Sequence, residues 1–327
     1  MRATYKNYYR AARRPLEWFA IGLGRALIPP LSMAALPRLA NALADLAYRF
    51  DRRGNRVARA NLRLMFGGRM TPPRERAIVR RSYRNMVRVL LNIFWMSRDT
   101  RARMERQVAF APGLFEEILR NTPAVLVSAH FGNWEILSQA CVVRGLRVLS
   151  VAKEIGSPEM TARLIRLRST LGQEIVTADG AIRPMLRAVK EGKCIGLIVD
   201  QHTHAWKGGT WVKLFGVPAG ISLAPATLSR KCGVPIVFAW SRPLRDGRYR
   251  IEPGQIFPPD AAADDAARTQ QLASAFERII RRHPSLWCLN YRRWRYILPG
   301  DDPARYPFYA HPLRPPPAAA PSAPANA

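Results

Sequence analysis

With 327 residues, 48% of them hydrophobic, the chain is long enough for one large domain or two small ones and carries a sizeable core, which excludes a largely disordered polypeptide. Lys and Arg number 52 against 23 Asp and Glu, a net charge of +29 that points to anionic partners: nucleic acid, anionic lipid or an acidic carrier protein. The four cysteines (Cys141, Cys194, Cys232, Cys288) are widely spaced in apolar surroundings with no Cys-x-x-Cys, so they read as reduced, buried thiols and not as a disulfide framework or a zinc site.

The chain opens on basic residues (Arg2, Lys6, Arg10, Arg13, Arg14), followed by a mostly apolar run from Leu16 to Tyr48. Glu17, Arg25 and Pro29-Pro30 interrupt that run, and no small-residue cleavage site closes it. A spanning helix wants about 20 predominantly apolar residues. Residues 1–50 therefore read as a monotopic helical membrane anchor with its basic head on anionic lipid. The alternative is an apolar helical hairpin packed on the domain.

Residues 51–122 form a basic helical region. Arg49 to Arg63 carries six arginines opposite Val57, Ala60, Leu62, Leu64 and Met65, an amphipathic helix ended by Gly67-Gly68. Thr71-Pro72-Pro73 opens another helix, with Val79, Tyr83, Met86, Val87, Leu90 and Phe94 at helical spacing. Arg76, Arg80, Arg84 and Arg88 form a stripe on its other side; each singly reads as solvated, and together they also point to an anionic surface.

From residue 123 to 299 strands and helices alternate. Strands are expected at Ala124–Val127, Arg147–Val151, Gln173–Val176, Lys193–Val199, Val234–Trp240 and Tyr249–Ile251, with an extended stretch at Trp211–Phe215. Helices are expected at Trp134–Val143, Pro158–Thr170, Ile182–Lys190, Ile221–Lys231 and Ala266–Arg281. This pattern predicts an α/β fold, a mixed central sheet flanked by helices. Residues 300–327, Pro/Ala-rich from Pro312, read as a disordered tail.

The chemistry centres on His130-Phe131-Gly132-Asn133-Trp134-Glu135, where a strand gives way to a helix. Strand carboxyl ends of open sheets leave a crevice for a site. Asn133 reads as the N-cap of that helix. On one helix, five residues span about 500°, so His130 and Glu135 would diverge by about 140°. With His130 in the turn, Glu135 can reach back and fix the imidazole tautomer, making a general base with an orienting acid. A helix-capping His with a solvent-facing Glu explains the same pattern. Asp200 follows a strand and falls near His130 if the two strands are neighbours; it equally reads as a turn cap. Lys153 and Arg168 are candidates for a phosphate or an oxyanion. His202 and His204 lack a carboxylate or Cys at metal-ligand spacing, so no metal site is expected.

These residues resemble the lysophospholipid acyltransferase superfamily, marked by His followed five residues later by an acid. More narrowly, the chain is similar to the late acyltransferases of lipid A biosynthesis. The resemblance rests on the apolar N-terminal segment, the run Arg59 to Phe66, His130 to Glu135, Arg168, Asp200-Gln201, Phe215 to Ala219, and the closing Trp287 to Trp294. It implies transfer of a fatty acyl group from acyl-carrier protein or coenzyme A, as co-substrate and without a cofactor, to a hydroxyl of a lipid A precursor. It also implies the cytoplasmic face of the inner membrane. His130 and Glu135 would be catalytic; Lys153, Arg168 and Asp200 would bind substrate; nucleic acid is not an expected partner. Two departures stand out: His202 where the family often has a third acid, and Leu289-Asn290-Tyr291 before Arg292-Arg293. Both bear on the acceptor.

Overall fold

The computed structural model describes residue 15 and residues 18–154 and 157–313. The basic head through Arg14 and the tail from residue 314 lie outside these residues.

A helix over residues 18–27 (α1) ends before Pro29-Pro30 and is followed by α2 (Ala35–Phe50). Among the described residues no helix is long and apolar enough to cross a membrane. Among the described residues the segment expected to be an anchor forms two helices, because the proline pair removes backbone donors and stops the first. Ala40 and Ala44 are fully buried and let α2 approach α4 (Pro72–Trp95) closely. The arginine stripe on α4 is not simply solvated: Arg80 and Arg84 both grip Asp45 of α2, at 2.6 and 2.7 Å. Leu90, expected inward, is half exposed.

Between α2 and α4, α3 (Arg52–Phe66) begins at Asp51, whose carboxylate accepts from the Gly54 N–H and the Tyr83 hydroxyl. After α4 come α5 (Thr100–Gln107), β1 (Val108–Phe110) and α6 (Leu114–Arg120), so the basic helical region also supplies a sheet strand. The alternation then runs β2 (Val125–Ser128), α7 (Glu135–Val143), β3 (Val148–Ala152), α8 (Pro158–Arg168), β4 (Glu174–Thr177), α9 (Ile182–Lys190) and β5 (Cys194–Ile198). Next is an antiparallel hairpin, β6 (Gly209–Leu214) and β7 (Val217–Ser222), then α10 (Ala224–Cys232), β8 (Ile236–Pro243), β9 (Tyr249–Phe257) and α11 (Asp265–Arg282). The helix expected from Ile221 begins at Ala224 instead, because the residues before it pair across the hairpin.

The main sheet has the order β1-β9-β8-β2-β5-β3-β4. β8, β2, β5, β3 and β4 are parallel, while β9 runs against β8 and carries β1 alongside it. Alternate side chains feed two cores, one per face. Val125, Val127, Ile195, Leu197, Ile236 and Phe238 pack with α3, α4, α9 and α11. Cys194, Val148 and Val237 pack with α6 and α7. Central strands covered on both faces are the arrangement a parallel sheet requires.

The expected disordered tail instead packs through residue 313. Tyr309 is buried and donates to Asn61 Oδ1 at 2.5 Å, and β10 (Tyr296–Ile297) pairs with β11 (His311–Pro312). One aromatic ring with a satisfied hydroxyl overcomes the proline-rich context here.

Candidate active site

His130 lies two residues past the end of β2, at the centre of the sheet. The register between β2 and β5 pairs Val125 with Ile195 and Ser128 with Ile198, an offset of 70 residues. Continued past both strand ends, that offset sets His130 opposite Asp200, and the two meet there. Asp200 Oδ1 accepts the His130 backbone N–H at 2.9 Å and lies 2.6 Å from His130 Nδ1. Its Oδ2 accepts the Trp287 indole N–H at 2.8 Å and the Arg293 guanidinium at 2.6 Å. The carboxylate is 1% exposed and receives two donors on each oxygen. Burial opposes its charge, but the cationic Arg293 and the imidazole, with the hydrogen bonds of both, hold its pKa far below the ordinary carboxylate range.

An ionised Asp200 only accepts, so His130 Nδ1 carries the proton and Nε2 keeps its lone pair. The Gln201 side-chain amide nitrogen lies 3.2 Å from Nε2 and donates to it. The His130 side chain is 21% exposed, so this second nitrogen is the one a ligand can meet.

Glu135 does not orient His130. It opens α7, and its carboxylate forms a two-point pair with Arg168 at the end of α8, one bond being Arg168 Nε to Oε2 at 2.7 Å. Its link to His130 runs through Trp134, whose indole N–H donates to Glu135 at 3.1 Å and whose ring lies 5.0 Å from the imidazole. The expected contact of His130 with Glu135 is not made; His130 meets Asp200 instead. Asp200, expected to bind substrate, is a buried carboxylate whose two oxygens are each taken by two donors within the protein, one of them the imidazole. Arg168, expected to bind substrate, is held by Glu135. Lys153 lies exposed beyond β3, which is separated from β2 by β5.

The turn after His130 is locked from three sides. Gly132 has φ +61°, and a Cβ there would fall 1.8 Å from the Ser241 carbonyl oxygen of β8, so only glycine fits. The Ser241 hydroxyl accepts the Asn133 N–H at 2.6 Å and donates to the Asn133 carbonyl at 2.9 Å. Asn133 is fully buried, and the N-cap position of α7 is Trp134, so Asn133 is not the cap. The Gly132 N–H is taken by the Leu286 carbonyl and the Phe131 N–H by Ala129. The backbone N–H groups of Phe131, Gly132 and Asn133 are therefore already committed and are not open to an oxyanion.

A closing segment holds the turn that carries His130. Phe131 bridges to Trp287, and the Cys288 N–H donates to the His130 carbonyl at 3.0 Å. Arg293 stacks 3.7 Å over Trp287 and donates to the Asp200 and Cys288 carbonyls. The segment is tied to the helices by Asn61, which donates to the carbonyls of Leu289 and Tyr291, and by Ser82, which donates to Trp287. Sequence reasoning placed Trp287 and Arg293 in a closing motif but gave neither a task, and missed Ser241 and Ser82 altogether. The signal for Arg293 was one of three arginines, with Arg292 and Arg295, among aromatics, and only tertiary contact picks it out as the carboxylate partner.

Among the described residues no group of three or more His, Cys, Asp or Glu is placed to hold a metal ion. The profile of the bacterial lipid A biosynthesis acyltransferases matches residues 3–296, and the chain belongs to that family. It is 27% identical over 179 residues to a phosphatidylinositol mannoside acyltransferase of Mycobacterium tuberculosis, covering 52% of this chain and 54% of the relative. A phosphatidylinositol mannoside acyltransferase of Mycolicibacterium smegmatis is 25% identical over 190 residues, covering 56% and 60%. The chain thus matches little more than half the length of these relatives.

Proposed function

We propose that the chain transfers a fatty acyl group from an acyl thioester to a hydroxyl of an anionic glycolipid, with His130 as general base held by Asp200. The observation that carries this is the 2.6 Å contact from His130 Nδ1 to a fully buried, ionised Asp200, which leaves Nε2 basic at the open side. A hydroxyl is a weak nucleophile at neutral pH, and a positioned imidazole contributes about 10²–10⁴-fold by taking its proton as it attacks. The acceptor oxygen bonds to the thioester carbon, its proton passes to Nε2, and the carbonyl oxygen becomes an oxyanion. The C–S bond then breaks, and the imidazolium returns the proton to the departing sulfur. Asp200 stabilises the transient imidazolium, and no cofactor enters the sequence. Gln201 occupies the Nε2 position in the free protein, so the acceptor hydroxyl displaces its amide.

Acyl-carrier protein is the proposed donor, because its acidic surface complements a chain of net charge +29. A lipid A precursor is the first acceptor by family. The mannosylated phosphatidylinositol named for the relatives is the second reading. The cytoplasmic face of the inner membrane is the proposed location. Support comes from Phe19, Leu23 and Leu27 of α1 and Leu43, Leu46 and Phe50 of α2, all at least 40% exposed.

The test uses purified full chain with acyl-carrier-protein and coenzyme A thioesters and both acceptors, read by mass spectrometry. Acylated product from one acceptor, falling at least about 100-fold in His130→Ala, is expected. Undiminished transfer by the variant overturns the role of His130.

A further inference from the structure

Beside the catalytic turn, the segment after Asp200 enters a cluster of rings that the acyl-transfer chemistry does not use. His202 packs on Trp211 of β6 and on Tyr296 of β10, with ring centres 5.8 and 5.0 Å apart. His204 lies 5.3 Å from Tyr296 and stacks face to face on Trp206, centres 4.0 Å apart and planes 18° apart. The two imidazoles touch through Nε2 of His202 and Nδ1 of His204 at 3.3 Å. His311 closes on Tyr296 at 4.7 Å.

The cluster is held in place. Gly220 of β7 lies against His202, and a Cβ there would come within 2.7 Å of the ring. The Thr203 N–H donates to the Gly220 carbonyl. Burial, then the neighbouring His204 and Arg295, push the His202 pKa down to about 4. Burial, Arg295 and Lys207 act on His204 in the same direction. Both shifts favour the neutral imidazole. Trp206 stands at the outer end, 56% exposed on a single 3-10 turn, with Lys207 next in the chain.

An aromatic cluster can serve three kinds of ligand. A quaternary ammonium group would use the ring faces by cation–π attraction, but Arg295 and Lys207 already place positive charge here and repel a further cation. An acyl chain prefers a continuous, enclosed apolar lining, whereas each of these rings carries a nitrogen or hydroxyl edge and the outermost is open to solvent. A pyranose ring has apolar C–H faces rimmed by hydroxyls. It suits ring faces with polar edges, and phosphates attached to the sugar suit the flanking cations.

We propose that the wall of His204, Trp206, Trp211 and Tyr296 is a sugar-stacking subsite that holds a pyranose ring of the acceptor next to His130. The inference rests on the acyl-transfer reading for its purpose and on Gln201 for its position, since Gln201 contacts His130 Nε2 and His202 follows it directly. The platform gives the site its preference for a glycosylated acceptor.

The test is saturation-transfer NMR on the full-length protein with methyl α-D-mannopyranoside and methyl α-D-glucopyranoside, using hexanoate as the apolar comparison. Wild type, Trp206→Ala and Trp206→Tyr are compared, with the KM for a glycosylated acceptor measured in parallel. Trp206 is exposed, so its removal leaves the fold intact. Saturation transfer to pyranoside ring protons in wild type, reduced at least about three-fold in Trp206→Ala and restored in Trp206→Tyr, supports the platform, as does a KM about five-fold higher in the Ala variant. No transfer to either pyranoside in wild type, equal transfer in Trp206→Ala, or a Trp206-dependent signal from hexanoate alone overturns it. A wild-type chain that binds the pyranosides through Trp206 yet moves no acyl group sinks the acyl-transfer reading and leaves the platform standing.

Discussion

At the scale of single residues, the site depends on one buried carboxylate. The Asp200 carboxylate has four donors, and among the described residues Arg293 pairs with no other carboxylate, so the two charges neutralise each other inside the protein. Asp200→Asn leaves the guanidinium uncompensated and presents an amide N–H where the imidazole needs an acceptor. It should cost about 3–5 kcal/mol of stability and lower kcat by about 10²–10⁴-fold, read by denaturant unfolding and by acyl transfer. Glu135→Gln should reduce kcat less than Asp200→Asn, because Glu135 acts through Arg168 and Trp134; an equal or larger loss would return the orienting role to Glu135. The Asp200 pKa is depressed on folding, so its contribution is fully present above the unfolded value of about 3.9 and is lost only as pH falls below it toward the folded pKa. Urea unfolding between pH 5 and about 3 should therefore show a loss of stability that Asp200→Asn flattens; a variant with the wild-type slope would contradict this assignment.

At the scale of elements, the strand-to-helix turn is made by its neighbours as much as by its own sequence. β8 supplies Ser241, α4 supplies Asn85, which donates to the Gly132 carbonyl at 2.9 Å, and the closing segment supplies Leu286. Ser241→Ala strands the buried Asn133 N–H, at a cost of about 1–3 kcal/mol, and frees the loop that carries His130. Thermal melting should show the loss, and kcat should fall with it; a wild-type melting temperature would mean that another group takes the N–H. Strands were legible where β-branched runs were bounded by turn residues, as in β2, β3 and β5. The β6–β7 hairpin was not fully legible. Val217–Ser222 contains Pro218, Ala219 and Gly220, poor strand formers whose extended form comes from pairing across the hairpin. The three-residue β1 was equally silent, since so short a run carries no periodicity and forms only because β9 is there to pair with it.

At the scale of the whole molecule, α1 and α2 leave a row of large apolar side chains uncovered: Phe19, Leu23 and Leu27 repeat every fourth residue, and Leu43, Leu46 and Phe50 lie on α2. Together with the positive charge this face suits an anionic bilayer surface. Replacing Phe19, Leu23 and Leu27 by Ser should reduce co-sedimentation with phosphatidylglycerol vesicles at least about ten-fold, and salt should weaken what remains. Binding that is unchanged by the triple substitution would remove this face as the contact. The sequence alone determined the alternation of strands and helices, the basic character of the surface and the position of His130 at the end of a central strand. Each of these is local: side-chain periodicity, charge count and turn chemistry act within a few residues of one another. Which acid serves His130 was decided only by the tertiary structure. Glu135 is five residues away in the chain but turns with α7 toward Arg168, while Asp200 is 70 residues away and is delivered by the parallel register of β2 and β5. That register is a property of two paired strands and the layers that bury them, so no single stretch of sequence contains it.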